Sequence, residues 1–332
     1  AEHVADLLQH APGLTILVTS RARLNLKGEH LYPLAGLHFP PESASPVEIR
    51  QSDAVQLLIQ ALRRAQPGFQ PTQDDLLHLR QVCQQVLGMP LGLLLAASWG
   101  GALELDEIAE VISQDLDYLA ADWAEVPARQ CSMRATFDHT WELLSERQQV
   151  LFQGLSIFRG AFTRRAARAV CQASPHELRQ LVDRSLLWHK TPGWYEMHEL
   201  LRQYGRQRLS YLPPEEKLVS NHHSRYYLGQ LVRLQANLKS AGQGEALDSI
   251  DLEHENLRAA WDWAAGQGDT AQLAEALEPL CLYYDLRLRY SEGESACHSA
   301  IEGLSNDKSN PVVFLLWIRL MIWECLFIRL QD

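Results

Sequence analysis

After residue 46 the sequence is punctuated almost only by helix starts and stops, and this restricts the chain to a mainly α architecture. Ser52 precedes the periodic run SDAVQLLIQALRRA, and Thr72 precedes TQDDLLHLRQVCQQVLG, which stops at Gly88. Pro90 opens PLGLLLAASW at the one helical position where a missing N–H costs nothing. A fourth helical run covers 105–119, and the four read as a compact bundle over 48–122.

The rhythm then changes. A helix is expected over 135–144, and Ser145 with Gln148 forms a capping box before SERQQVLFQGLSIF. Thr163 caps TRRAARAVC, and Ser174, Pro175 and Glu177 open PHELRQLVDRSLL. Two short extended runs, 186–189 and 194–197, flank the turn Lys190-Thr191-Pro192-Gly193 and predict a hairpin. Helices closed by a β-hairpin describe a winged helix, here over 129–212. Pro213-Pro214 marks the next boundary, and over 215–332 helices pair at a spacing of roughly 34 to 40 residues, the range of TPR-like repeats.

Residues 1–40 differ from all this. A short helix over 2–10 precedes the continuous apolar run LTILVT at 14–19, which reads as a strand buried on both faces, and a second extended stretch covers 30–34. Such a strand belongs in a parallel α/β sheet, yet no earlier βα series is present to pair with it. A Pro/Ser linker over 39–46 separates it from the bundle.

Net charge is -11, which excludes a general nucleic-acid binder. The charge is uneven. Residues 129–212 hold 13 Lys and Arg against 7 Asp and Glu, whereas the rest holds 17 against 34. A basic module beside acidic neighbours suits internal docking or a nucleic-acid face. The six cysteines form no C-x-x-C pair and read as reduced core thiols of a cytoplasmic protein. No secretory leader pattern opens the sequence. The run PVVFLLWIRLMIWECLFIRL is interrupted by Arg319, Glu324 and Arg329, so it reads as a helix buried on several sides, or one missing a packing partner, rather than a membrane span.

Three stretches carry a family resemblance. VTSR at 18–21 resembles the sensor 1 strand of STAND-type ATPases, the NB-ARC and bacterial LuxR/AfsR-like group. GMPLGL at 88–93 resembles their GxP motif, and YEMHELLRQYG at 195–205 their MHD motif. Order, spacing and module types agree over about 290 residues. The resemblance implies that 1–40 is the C-terminal remnant of an α/β NTPase core and that nucleotide sits between core, bundle and winged helix. It implies that Arg21 reads the terminal phosphate, with Thr19 or Ser20 adding a hydroxyl, that Pro90 packs on adenine or ribose, and that His198 hydrogen-bonds the β-phosphate of ADP. A guanidinium suits such a sensor because it is permanently charged and donates in a fork. Glu199 stands where the family has Asp. Taken alone, Arg21 could equally cap a helix or pair with a carboxylate, Pro90 is a first-turn proline, and His198 is a histidine at a helix start.

No G-x-x-x-x-G-K-[ST] occurs, and no apolar strand ends in Asp-Asp or Asp-Glu. Without a phosphate cradle or magnesium ligands the chain is not expected to hydrolyse ATP, although the parent would be an ATPase. Its simplest description is a fragment of such a protein, or a degenerate chain, with ADP or ATP bound weakly or not at all and no metal. The adjacent His222-His223 pair diverges on a helix and does not suggest one. The expected partners are a protein or small-molecule inducer on the repeats, with self-assembly as an option and no membrane. Two alternatives stand beside the nucleotide switch: DNA binding through 129–212, and a ligand-free interaction scaffold.

Overall fold

The computed structural model describes residues 2–11, 13–20, 24, 26–32, 34, 36–114, 116–121, 131–304 and 310–331. Among them it forms sixteen α helices and one three-stranded sheet, a mainly α fold with a helical repeat region. The chain divides into two compact units. One takes Ala1–Val150, Arg179–Leu187 and His198–Gln207; the other takes Leu151–Leu178, Trp188–Met197 and Arg208–Asp332.

The first unit opens with α1 (Glu2–His10). The run 14–19 after it is not a strand: Leu14, Leu17 and Val18 are exposed, Leu17 at 95%. Nor do the described residues among 30–34 form one, with Leu31, Tyr32 and Leu34 exposed. The physical reason is that a central strand needs a hydrogen-bonded neighbour on each edge, and no described residue supplies one. The linker expected over 39–46 holds only in part, because Ser45 starts a further helix, α2 (Pro46–Gln51), through a capping box with Glu48. Ser52 is the N-cap of α3 (Asp53–Ala65) but makes no side-chain cap; its hydroxyl donates to the His38 carbonyl instead, at 2.7 Å.

Thr72 closes the turn that leads into α4 (Asp75–Gln85), its hydroxyl accepting from the Asp75 N–H at 3.2 Å, while Asp74 sits at the N-cap and makes no side-chain cap. Next come α5 (Pro90–Ala97) and α6 (Leu105–Gln114), which ends earlier than expected and passes into a 3-10 turn, Leu116–Tyr118. Leu58 and Leu62 of α3, Leu79 and Val82 of α4, Leu93 and Leu95 of α5 and Ile108 and Ile112 of α6 are buried. Each such side chain contributes about 1.5–3 kcal/mol by leaving water. The helix α7 (Met133–Glu142) is capped by Ser132.

Next in the chain come α8 (Glu146–Leu155), β1 (Phe162–Thr163), α9 (Arg164–Cys171), α10 (Pro175–Asp183), β2 (Trp188–Thr191), β3 (Trp194–Glu196) and α11 (Glu199–Ser210). The capping residues read from the sequence act here: Ser145 with Gln148, Thr163, and Ser174 with Glu177. The sheet order is β1-β3-β2, antiparallel, with Phe162 opposite Tyr195 and His189 opposite Tyr195 on the other edge. The turn between β2 and β3 uses Gly193 at φ +84°, a conformation that favours glycine.

In the second unit Pro213 and Pro214, read as a boundary, are the first residues of α12 (Pro213–Leu238). Their missing N–H groups fall in a first turn that has no intrahelical partners to lose. The repeat region continues with α13 (Gln243–Gly266), α14 (Thr270–Leu286), α15 (Tyr290–Gly303) and α16 (Pro311–Gln331). Trp261 of α13 is buried and its indole N–H donates to the Ala296 carbonyl of α15 at 2.8 Å. His222 and His223 diverge as expected: one reaches the Val170 carbonyl, the other the Asn256 amide oxygen. Helix α16 is buried along one side only, through Val313, Leu316, Leu320 and Phe327; Val312, Leu315 and Ile322 are exposed. It is long and apolar enough to cross a membrane, yet Arg319 and Glu324 are held by the Ala274 carbonyl and His298.

Candidate functional site

The turn after α4 is set by two consecutive residues in the left-handed region, Leu87 at φ +47° and Gly88 at φ +63°. Backbone bonds close it: Gly88 N–H donates to the Cys83 carbonyl at 2.9 Å, and Met89 N–H to the Val86 carbonyl at 3.0 Å. Gly88 is required twice over, by its φ and by crowding, since a Cβ there would collide with the Leu37 carbonyl. The Leu37 N–H donates to the Gly88 carbonyl at 2.8 Å, so residues 36–38 strap the turn. Pro90 then begins α5 at N1 and is exposed. Met89, at the N-cap, offers no side-chain acceptor, so the first N–H groups of α5 are uncapped by a side chain.

His198 belongs to the same unit as this turn. It lies just before α11 and is buried, 8% exposed. The Leu200 N–H donates to its Nδ1 at 3.0 Å, and the Val86 backbone lies close enough to act on the imidazole's charge. With Nδ1 accepting, the neutral ring carries its proton on Nε2. Burial pushes its pKa down to about 4, against the opposing pull of the Val86 backbone and the Glu199 charge, so the ring is neutral at pH 7. The histidine and Val86, at the start of the turn, are far apart in sequence but near each other in the fold.

Neighbouring contacts hold α11 in place. Glu199 takes Arg202 in a bidentate pair at 2.6 and 2.7 Å. Tyr204 donates to the Asp138 carboxylate at 2.7 Å and meets Phe137 and Trp141 edge-on. Gln203 donates to the Ser113 carbonyl at 3.4 Å.

Two of the expected site residues, Pro90 and His198, are thus placed around one turn. Thr19 and Ser20 are exposed in an irregular segment. Arg21 lies outside the described residues. Val86, Leu87 and the 36–38 strap were not singled out from sequence. The only signal for them is the GMP glycine, whose positive φ implies a close backbone neighbour without naming it.

No protein-family model matches the chain, and no solved structure matches it significantly. Among characterised and catalogued proteins it is similar to a Mycobacterium tuberculosis protein named "Putative HTH-type transcriptional regulator", with 29% identity over 90% of this chain and 33% of that protein. It is also similar to the "Regulatory protein AfsR" of Streptomyces griseus, with 29% identity over 62% of this chain and 20% of the relative. A second M. tuberculosis protein, without a functional name, is 26% identical over 62% of this chain and 53% of its own length. The chain spans about a third of the length of the first of these relatives. The similarity is to bacterial regulators.

Proposed function

We propose that this chain is the regulatory part of a STAND-type signal-transduction ATPase. In this reading ADP-dependent closure of the helical domain (48–122) and the winged helix (129–212) holds an inactive state. The TPR-like repeats (215–332) sense a protein or small-molecule inducer, and 1–40 is the end of the NTPase core. The observation that supports it best is the proximity of His198 to Val86, which brings the two motif segments together in one unit. Similarity to regulators, AfsR among them, supports the regulatory half of the reading.

The residues present fit the edge of a nucleotide. Exposed Pro90 offers an apolar face to a base or ribose, and the neutral His198, buried in this structure, would have one N–H to offer a phosphate oxygen once the joint opens around it. A charged phosphate is a strong acceptor for that proton. They do not fit the whole triphosphate, because the sequence has neither a P-loop nor a Walker B acid. The bound nucleotide would supply the energy difference between closed and open states. Within this chain the residues only bind and report, so we expect weak ADP binding, no ATP hydrolysis and no metal, in the cytoplasm. Calorimetric titration of ADP should give heat that His198→Ala abolishes; heat unchanged by that substitution would refute the role of His198.

One observation favours a second reading. Arg164, Arg165 and Arg168 of α9 are exposed and make no ion pair among the described residues, and a relative is named an HTH-type regulator. Phosphate contacts by such a face would make DNA affinity fall steeply with salt. An absence of DNA binding at low salt would remove this reading.

A further inference from the structure

Two thiols meet inside the repeat region. Cys281 of α14 and Cys297 of α15 are each 1% exposed, and their sulfurs are 3.9 Å apart, in van der Waals contact. The other cysteines differ: Cys83 is buried in α4, Cys131 and Cys171 are half-buried, and Cys325 is exposed on α16. The two helices are neighbours joined by a short turn, and both are tied in place near the pair. Tyr283 donates to Asp251 at 2.8 Å, Arg289 donates to the Tyr283 oxygen at 2.9 Å and to Glu292 at 2.6 Å, and Trp261 holds the Ala296 carbonyl. A pair held this way has a high effective concentration of one sulfur at the other. A disulfide needs about 2 Å between sulfurs. Closing the remaining gap takes rotation about the Cα–Cβ bonds together with whatever approach of the two helices brings the Cα atoms within about 7 Å.

We propose that Cys281 and Cys297 are a redox pair that closes to a reversible disulfide, locking the α14–α15 hairpin when the protein meets a peroxide. The step balances. Two S–H bonds break and one S–S bond forms, while hydrogen peroxide takes the two electrons and two protons and leaves as two waters. A small dithiol reverses it by exchange. At rest the pair is protected: burial raises the Cys281 thiol well above its ordinary range, only partly opposed by the Arg319 charge of α16. Thiolate is the reactive form, so reaction waits on a local opening that admits water and oxidant. Helix α16 packs on both α14 and α15 and leaves its outer apolar side exposed, which makes its lifting the natural opening.

The test uses the full chain with Cys325→Ser, which removes the exposed competitor and leaves the pair intact. The reduced protein is treated with hydrogen peroxide, unfolded, alkylated and mapped by mass spectrometry. The proposal expects a 281–297 cross-linked peptide, a monomer that has lost two alkylatable thiols, reversal by dithiothreitol, and slower amide exchange across α14 and α15. A parallel sample with Cys297→Ala, checked for helix content, should show no cross-link at Cys281. Recovery of both cysteines as free thiols, their oxidation to separate sulfinic acids, or pairing of either with Cys171 would overturn it.

Discussion

Acidification from pH 7 to pH 5 should withdraw stability from the first unit through one side chain, His198. Its pKa is about 4 in the folded chain against 6.5 for the ordinary group. The unfolded chain therefore takes the proton first, and stability rises with pH across this window. The contribution is whole above the unfolded value and drains as pH falls towards the folded one. One pKa unit is worth about 1.4 kcal/mol, so full protonation costs about 3 kcal/mol, and the step from pH 7 to 5 costs about 2 kcal/mol. The assay is urea unfolding followed by tryptophan fluorescence, on the protein and on His198→Gln at both pH values. Glutamine does not titrate, so the difference between the two pH effects isolates His198. That comparison matters because other groups titrate in both proteins. His254 is also held low by burial, and Glu253, pushed up to about 7 by burial, works in the opposite direction. Equal pH effects in the two proteins would refute the buried neutral imidazole.

Gly88→Ala should cost at least ~2 kcal/mol, from its left-handed φ and the collision with Leu37, read as a lower urea midpoint. Asn256→Leu leaves the Arg159 N–H and Ala161 carbonyl without their bonds at 2.7 and 3.0 Å. Roughly 2–4 kcal/mol should go with them, together with fast exchange of the Arg159 amide. Glu253→Gln should raise stability at pH 8 by roughly 1–2 kcal/mol after allowing for partial solvent screening. The gain should shrink by more than half at pH 5, because an acid whose folded pKa is raised loses stability as pH climbs through the window to about 7. Gly293→Leu should unseat α16, since even a Cβ there would lie 2.6 Å from the Phe327 ring; limited proteolysis would release the C-terminal helix.

Helix starts were legible because their chemistry is local: Ser145, Thr163 and Ser174 each cap with a partner three residues on, and Thr72 bonds Asp75 in the turn just before α4. Ser52 misled for the same reason, because its hydroxyl found a carbonyl 14 residues upstream that no local rule contains. The buried strand over 14–19 misled because an apolar run declares burial but not whether its neighbours are present. The proline pair at 213–214 was ambiguous, since proline both ends and begins helices. The uneven helices of the repeat region, from 26 residues in α12 to 14 in α15, explain why its period is blurred. At the candidate site the motif residues could be read, but not their supports. The Val86 backbone and the Leu37 strap act through main-chain atoms, which leave almost no mark on residue identity.

The central claim is that the Val86–Pro90 turn and His198 form an ADP-responsive joint. The most direct measurement is hydrogen exchange by mass spectrometry on the full chain, with and without ADP at about 5 mM, enough to populate a site of millimolar affinity. The account predicts slower exchange in peptides covering 86–93 and 198–204, with the effect lost in His198→Ala. Exchange unchanged by ADP in those peptides, or slowed equally in the variant, would contradict it.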